Sequence, residues 1–276
     1  MSAVIANRDP LRAAAAVPNS VARSLPDVAL RLDTLSFDYD PFPIGLAEDV
    51  FDPATYAEMV DSFPNADDFV AKHTLGMKYS LSQVNNRRAY LRFLRRHPVW
   101  QRLYSHVKSR AFIGDVLASL RRHGIDLGLY EQPLTERMRR RVRALKRGRP
   151  MPRTPRLRAR FEFSAMPVTG GSIRPHTDDP AKIVTLVVSM ARAGEWRPEW
   201  GGGTSVVWPR DATRSFNLAN RYLEFDEVRT LKTFPFRPNQ CIVFVKTPNS
   251  WHMVGPMTGT DPSVLRRTLT INIETN

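Results

Sequence analysis

The spacing of hydrophobic and polar positions divides the chain into a helical first half and a β-rich second half. A helix is predicted over residues 52–63, because an Asp-Pro pair at its start supplies an N-cap and a proline at the first helical position. A second helical region with a break near Gly114 is predicted over 97–124, where Val99, Leu103 and Val107 recur at the four-residue spacing of one buried face. The chain up to about residue 130 is therefore predicted to be mostly helical.

From about residue 158 the pattern changes to short β-rich runs separated by Gly, Pro and Asn turns. So many strands without intervening helices indicate an antiparallel sandwich or barrel. The predicted strands cover 158–166, 183–190, 204–208, 221–226, 228–234, 240–246 and 265–273.

The domain organisation follows from these patterns and from the composition. With 276 residues, 42% of them hydrophobic, the chain is long enough for one large integrated domain. No run of about 18 apolar residues occurs, so we expect a soluble, cytoplasmic protein. The single cysteine, Cys241, excludes a disulfide framework and a cysteine-rich zinc site, and its apolar surroundings predict a buried thiol. The predicted regions are a flexible leader at 1–25, a helical portion at 26–136, a basic connecting segment at 137–160 and a β core at 158–276.

The formal net charge of +14 is concentrated in the basic connecting segment, 137–160. This segment holds twelve Lys or Arg and no Asp or Glu, and removing those twelve from the 41 basic residues leaves 29, against 27 acidic ones. It is either a solvated connection or an electrostatic collar that attracts an anionic substrate, an acidic carrier or an anionic membrane. It contains no aromatic residue to stack on bases, which argues against nucleic acid. The oligomeric state is left open.

The segment Arg174-Pro-His-Thr-Asp178 carries the candidate metal chemistry. In an extended strand, residues i and i+2 face the same side, so His176 and Asp178 are predicted to project into one cavity. Two histidines and one carboxylate form a facial triad that leaves positions on iron open for a co-substrate and O2. The six histidines are at positions 73, 97, 106, 123, 176 and 252. Only His252 lies downstream of the pair in the β-rich half, and it is the predicted third ligand.

A candidate co-substrate strand follows at 266–273. Alternation puts Arg266, Thr268, Thr270 and Asn272 on one face and mostly apolar residues on the other. On the surface of an ordinary sandwich the polar face would be exposed to solvent, whereas in a barrel it lines the pocket. There Arg266 can hold a carboxylate through a bidentate fork while Thr268 adds a hydroxyl donor.

Several ordered motifs between residues 158 and 276 resemble the prolyl 4-hydroxylase-like branch of the 2-oxoglutarate- and Fe(II)-dependent oxygenases. They are His176-Thr-Asp178 followed by Lys182, Glu199-Trp-Gly-Gly-Gly203, the buried run from Pro238 to Val245, Trp251-His252 and Arg266-x-Thr268-Leu269.

The resemblance implies an α+β fold with a mainly β core, a double-stranded β-helix (jelly-roll, cupin-like barrel) buttressed by N-terminal helices. It implies Fe(II) held by His176, Asp178 and His252, and 2-oxoglutarate bound through Arg266 and Thr268. O2 is then the oxidant, and ascorbate is a candidate stimulant. The predicted function is a 2-oxoglutarate-dependent dioxygenase that hydroxylates an unactivated C–H bond of a small-molecule or peptidyl substrate and converts 2-oxoglutarate to succinate. The alternatives are a nucleic-acid-acting oxygenase and a non-catalytic β-barrel binding protein.

Two features depart from the family pattern. Met166 stands ten residues before His176, where some relatives carry a tyrosine that touches the oxoacid. The spacing from His252 to Arg266 is longer than usual, which leaves Arg267 as an alternative carboxylate ligand. The three glycines at 201–203 are interpreted as a bulge or a tight crossing between strands and not as a phosphate loop.

Overall fold

The computed structural model describes residues 28–72, 76–129 and 156–275, together with several positions between 138 and 148. Within these ranges the protein is mainly β, with antiparallel sheets and few helices, which confirms the predicted fold class at that level. The predicted leader at 1–25 and much of the basic connecting segment lie outside the described residues.

The α-helices that the structure describes without interruption all precede the β-rich half. They are α1 (Pro53–Asp61), α2 (Arg87–Arg96), α3 (Pro98–Val107) and α4 (Arg110–Arg122). The break in the second predicted helical region lies between α3 and α4 and not near Gly114, which is inside α4. The side chain of Asp52 accepts hydrogen bonds from the amides of Ala54 and Thr55, so the predicted N-cap of α1 is present. Helix α2 was not predicted, because five arginines mask the apolar face on which Tyr90 and Phe93 are buried.

The larger sheet has eight strands and gathers segments from both halves of the chain. Its strands, in spatial order, are β1 (Ser36–Asp38), β2 (Ile44–Ala47), β10 (Cys241–Val245), β7 (Lys182–Ser189), β12 (Leu265–Thr275), β5 (Leu157–Pro167), β4 (Lys78–Leu81) and β3 (Val70–Lys72). Strands β1 to β4 lie in the portion predicted to be mostly helical. Runs of three or four residues are too short to give a period-two signal, so the sequence pattern could not reveal them.

The smaller sheet has four strands, in the order β6 (Ile173–His176), β11 (His252–Val254), β8 (Thr204–Pro209) and β9 (Val228–Phe234). The strand predicted over 221–226 is absent from the described residues. That stretch leads into a single turn of 3-10 helix, Phe225–Glu227, fixed by reciprocal hydrogen bonds between Glu224 and Glu227. Strand β11 was not predicted, because three residues form no recognisable pattern.

The main hydrophobic core lies between the helices and one face of the larger sheet. Phe161 and Phe163 of β5 pack there against Tyr90 and Trp100 of the helices. Leu269 and the other apolar residues of β12 point to the same side, so the polar residues of β12 face the opposite side, as the alternation predicted. None of the helices within the described ranges has the length and apolar character needed to cross a bilayer.

Candidate metal and co-substrate site

Two paired strands of the smaller sheet bring the predicted metal ligands together. His176 ends β6 and His252 begins β11, and the antiparallel register places these two residues directly opposite each other. Asp178 follows His176 by two residues. One ligand atom from each of the three buried side chains lies within 4.8 Å of the others. Such a cluster could hold one metal ion.

The backbone at Asp178 differs from the extended conformation that the sequence suggested. Strand β6 ends at His176, and Asp178 has a positive φ of 70°. Aspartate is among the few residues that enter this left-handed region at modest cost. The carboxylate therefore reaches the site through a sharp turn after the strand and not through strand alternation.

The two imidazoles are oriented by backbone carbonyls. Nδ1 of His176 lies 2.9 Å from the carbonyl oxygen of Arg174, and Nδ1 of His252 lies 2.8 Å from that of Ser250. Because a carbonyl only accepts, each Nδ1 carries the proton and each Nε2 offers a lone pair. The Nε2 atoms of His176 and His252 lie 3.7 and 3.9 Å from the oxygens of Asp178. This arrangement brings two imidazole nitrogens and one carboxylate close together, as metal ligation requires.

The charges around Asp178 keep the site in its ligating form. Lys182 Nζ lies 2.6 Å from Oδ1 of Asp178, and the Thr185 hydroxyl donates to Oδ2 at 3.2 Å. Burial alone would raise the pKa of Asp178, but Lys182 and the imidazoles of His176 and His252 hold it well below its usual range. Burial, assisted by the neighbouring His176, lowers the pKa of His252 to about 3. The carboxylate is thus ionised and the His252 imidazole neutral near neutral pH.

The donor set suits iron(II). Two imidazole nitrogens and one carboxylate oxygen are the donor set of the facial triad, which would leave further positions of a six-coordinate metal free. A structural zinc site would be closed by four protein ligands, and no fourth His, Cys, Asp or Glu joins this group among the described residues.

The predicted co-substrate residues line the same cavity as the three ligands. Arg266 and Thr268 of β12 are buried there beside His176, Asp178 and His252. The guanidinium of Arg266 donates from Nε to the carbonyl oxygen of Gly202 at 2.5 Å, and its second contact, to the Thr204 hydroxyl, is long at 3.5 Å. Burial lowers the pKa of Arg266 to about 9.

The surroundings of Arg266 fit a carboxylate ligand. Within the described part of the chain no acidic side chain forms an ion pair with this arginine, which is only 3% exposed. A buried cation without a counter-ion is costly, and an incoming carboxylate would offset that cost. The hydroxyl oxygen of Ser164, which lines the same cavity, is buried and has no hydrogen-bond partner among the described residues. Sequence reasoning missed Ser164, although it lies opposite Thr268 in the β5–β12 register.

Arg267 occupies a different environment. Its guanidinium carbon lies 6.0 Å from the ring centroid of Phe63, which packs against the main core on the helical side of the sheet. Arg266 is therefore the arginine that β12 presents to the cavity. Met166, at the position where some relatives have a tyrosine, lines the cavity with an apolar side chain.

The glycine run before β8 permits close packing against Arg266. A Cβ on Gly202 would lie 2.7 Å from Trp196 and 3.3 Å from Cδ of Arg266, and the φ of Gly202 is +76°. Trp196 itself donates its indole N–H to the carbonyl oxygen of Gly201 at 3.0 Å. The run therefore packs closely against Trp196 and Arg266, and the predicted bulge or crossing between strands stays a prediction.

Comparisons with known proteins give likenesses of fold alone. No family model and no curated protein matches the chain. A prolyl hydroxylase from Trichoplax adhaerens, solved with a hypoxia inducible factor oxygen degradation domain peptide fragment, matches at a TM-score of 0.45 and 11% identity, covering 84% of this chain and 83% of that one. A prolyl-4-hydroxylase from Pseudomonas putida matches at 0.40 and 14%, covering 84% and 92%. An oxidoreductase of the 2OG-Fe(II) oxygenase family from Burkholderia pseudomallei matches at 0.28 and 19%, covering 49% and 50%.

The family that the sequence motifs resemble is thus also found among the structural neighbours. These scores and identities are too low for a function to follow from the likeness, so the function has to come from the residues of the site.

Proposed function

We propose that this protein is an Fe(II)- and 2-oxoglutarate-dependent dioxygenase that hydroxylates an unactivated C–H bond of a small-molecule or peptidyl substrate and converts 2-oxoglutarate to succinate and CO2. One observation carries the proposal. The buried His176, Asp178 and His252 cluster lines the same cavity as Arg266, a buried cation for which the described residues supply no carboxylate.

In the proposed architecture, strands β5 to β12 form a double-stranded β-helix that spans the predicted catalytic core at 158–276. The two histidines come from the smaller sheet, Asp178 from the turn after β6 and Arg266 from the larger sheet, so the cavity lies between two sheets. Strands β1 to β4 extend the larger sheet, and the helices of the 26–136 portion cover its outer face. This arrangement would keep the two histidine ligands on paired strands and Asp178 in the turn directly after one of them.

Each residue of the cavity has a distinct role in the proposal. The two histidines and Asp178 hold iron(II), which when bound supplies the open coordination positions for 2-oxoglutarate and O2. Arg266 binds the distal carboxylate of 2-oxoglutarate, and Thr268 and Ser164 donate hydroxyl hydrogen bonds to the same co-substrate. Lys182 neutralises Asp178, which keeps the ligand set charge-balanced in a buried site. Asp178 also favours hydroxylation over halogenation, because related halogenases replace this carboxylate with a small residue.

The test is an anaerobic titration of the metal-free protein with Fe(II) and then with 2-oxoglutarate. We expect a visible charge-transfer band that requires both components and is lost in Asp178→Ala. A non-catalytic β-barrel protein would give no band with either addition, and that result would refute the proposal. Screening candidate substrates for stimulated succinate formation, with and without ascorbate, then identifies the substrate.

A further inference from the structure

The described residues between 138 and 148 form a helical stretch whose apolar side chains face solvent. Met138, Val142 and Leu145 are helical and are 65%, 49% and 71% exposed. Their spacing of four and then three residues places all three on one side of a helix. The stretch terminates at Gly148, whose φ of +57° is a common conformation at helix ends. We name these three side chains the apolar stripe.

The exposure of the apolar stripe is unusual for this protein. Ten large hydrophobic side chains are exposed among the described residues, and three of them come from the eight described positions between 138 and 148. In contrast, helix α2, which is equally rich in arginine, buries Tyr90 and Phe93 against the core. A cluster of exposed apolar side chains on a helix indicates a surface that binds another protein or a membrane.

Cations surround the apolar stripe. The sequence from 137 to 147 holds seven Lys or Arg and no acidic residue. Among the positions that the structure describes, Arg139, Arg143 and Lys146 are exposed, and none of the three forms an ion pair with a described carboxylate. The helix therefore combines an exposed apolar side with a dense positive charge.

This combination selects one kind of partner. A helix with an apolar side flanked by cations lies in the plane of an anionic bilayer surface, with its apolar residues among the acyl-chain boundary and its cations on the lipid phosphates. Nucleic acid would neutralise the cations but leave the apolar stripe exposed to water, and the region offers no aromatic residue to stack on bases. We propose that this helix docks the protein on a membrane surface rich in anionic lipid. This proposal does not depend on the proposed dioxygenase activity.

The test is co-sedimentation of the full-length chain with lipid vesicles. We expect at least ten-fold tighter binding to vesicles of phosphatidylcholine mixed with phosphatidylglycerol than to phosphatidylcholine alone, with affinity falling as salt rises. The triple variant Met138→Gln/Val142→Gln/Leu145→Gln keeps every charge and should lose at least ten-fold of the affinity. Val84→Gln is the matched control, because Val84 is 67% exposed elsewhere on the protein and its replacement should leave binding unchanged.

Three results would overturn the docking proposal. These are no binding to anionic vesicles, binding of the triple variant equal to that of the unaltered chain, and tighter binding of duplex DNA than of vesicles at the same salt. Equal circular dichroism and equal Fe(II) binding in all variants verify that the fold and the metal site are intact. A failure of membrane docking is thus distinguishable from a failure of the dioxygenase proposal.

Discussion

At the scale of single residues, the chemistry of the cavity depends on which charges are compensated within the protein. Asp178 is compensated by Lys182 at 2.6 Å, whereas the hydrogen bonds of Arg266 to described residues go to a backbone carbonyl and a hydroxyl. The ring of Phe236 covers the guanidinium at 4.7 Å and shields it further from water. One end of the cavity is therefore charge-balanced without a ligand, and the other end is complementary to an anion.

Replacing Arg266 should weaken 2-oxoglutarate binding without removing the metal site. Loss of a buried, charge-assisted contact costs about 2–5 kcal/mol, so Arg266→Ala should raise the 2-oxoglutarate Kd by roughly 30-fold or more. Titration of the charge-transfer band measures this effect. Arg267→Ala is the matched control, because Arg267 lies on the other face of β12. If Arg266→Ala left the affinity for 2-oxoglutarate unchanged and Arg267→Ala weakened it, the assignment of Arg266 to the cavity face of β12 would be wrong.

Replacing Lys182 should destabilise the metal-free protein more than the metal-bound one. Without its ammonium, Asp178 is a buried carboxylate that has lost its closest cation, which costs about 3–5 kcal/mol. Urea denaturation of Lys182→Met in the presence of a chelator measures the loss, and added Fe(II) should recover part of it. Lys182→Arg retains the charge and serves as the control. Equal unfolding free energies for Lys182→Met and the unaltered chain would show that this ion pair contributes nothing.

At the scale of elements, the site depends on short strands and on tight connections between them. Strands β6 and β11 span four and three residues, and they place His176 opposite His252. A small sheet of this kind is held by its neighbours, because two or three backbone hydrogen bonds do not stabilise a strand pair alone. The glycine run before β8 has a similar role on the opposite side of the cavity, since it allows the backbone to approach Trp196 and Arg266.

Gly202→Ala should disturb the packing of Trp196 and Arg266 in addition to straining the backbone. Gly201 and Gly202 have nearly equal φ values of +77° and +76°, but an added Cβ meets Trp196 at 2.7 Å only at Gly202. Gly201→Ala is therefore the control for backbone strain, which costs about 1–3 kcal/mol in either variant. We expect Gly202→Ala to show a larger loss of unfolding free energy and a weaker affinity for 2-oxoglutarate. Identical behaviour of the two variants would contradict the role assigned to close packing at Gly202.

At the scale of the whole molecule, the first half of the chain supports the second. The aromatic residues of α2 and α3 pack against the outer face of the larger sheet, with Phe163 between Phe93 at 5.2 Å and Trp100 at 4.8 Å. Strand β4, from the first half of the chain, pairs with β5 and extends the same sheet. We therefore expect the helices and the β core to unfold as one cooperative unit.

Phe163→Ala tests this coupling. Removing a fully buried phenylalanine costs about 3–5 kcal/mol, and the cost should appear in a single unfolding transition. Far-ultraviolet circular dichroism and tryptophan fluorescence during urea denaturation measure it. Phe216→Ala, at a side chain that is 73% exposed, should leave stability within about 0.5 kcal/mol of the unaltered chain. Two separate transitions would show that the helical portion and the β core are independent domains.

Some features of the protein are set by local sequence alone. The Asp-Pro pair alone predicts the N-cap of α1. Period-two alternation predicts the longer strands and places Arg266 on the polar face of β12. Each of these features is a property of neighbouring residues. The ligands of the candidate metal site can likewise be predicted from the sequence, since it contains one His-x-Asp in the β-rich half and one histidine downstream of it.

Other features depended on contacts between segments that are distant in the chain. The pairing of β6 with β11, the left-handed turn at Asp178 and the membership of β1 to β4 in the larger sheet involve runs too short to have a pattern of their own. The choice between Arg266 and Arg267 could not be read from alternation alone, because which face is the cavity depends on where the helices pack. Only the tertiary structure decided these points, since burial and register are properties of the assembled sheets and not of any one strand.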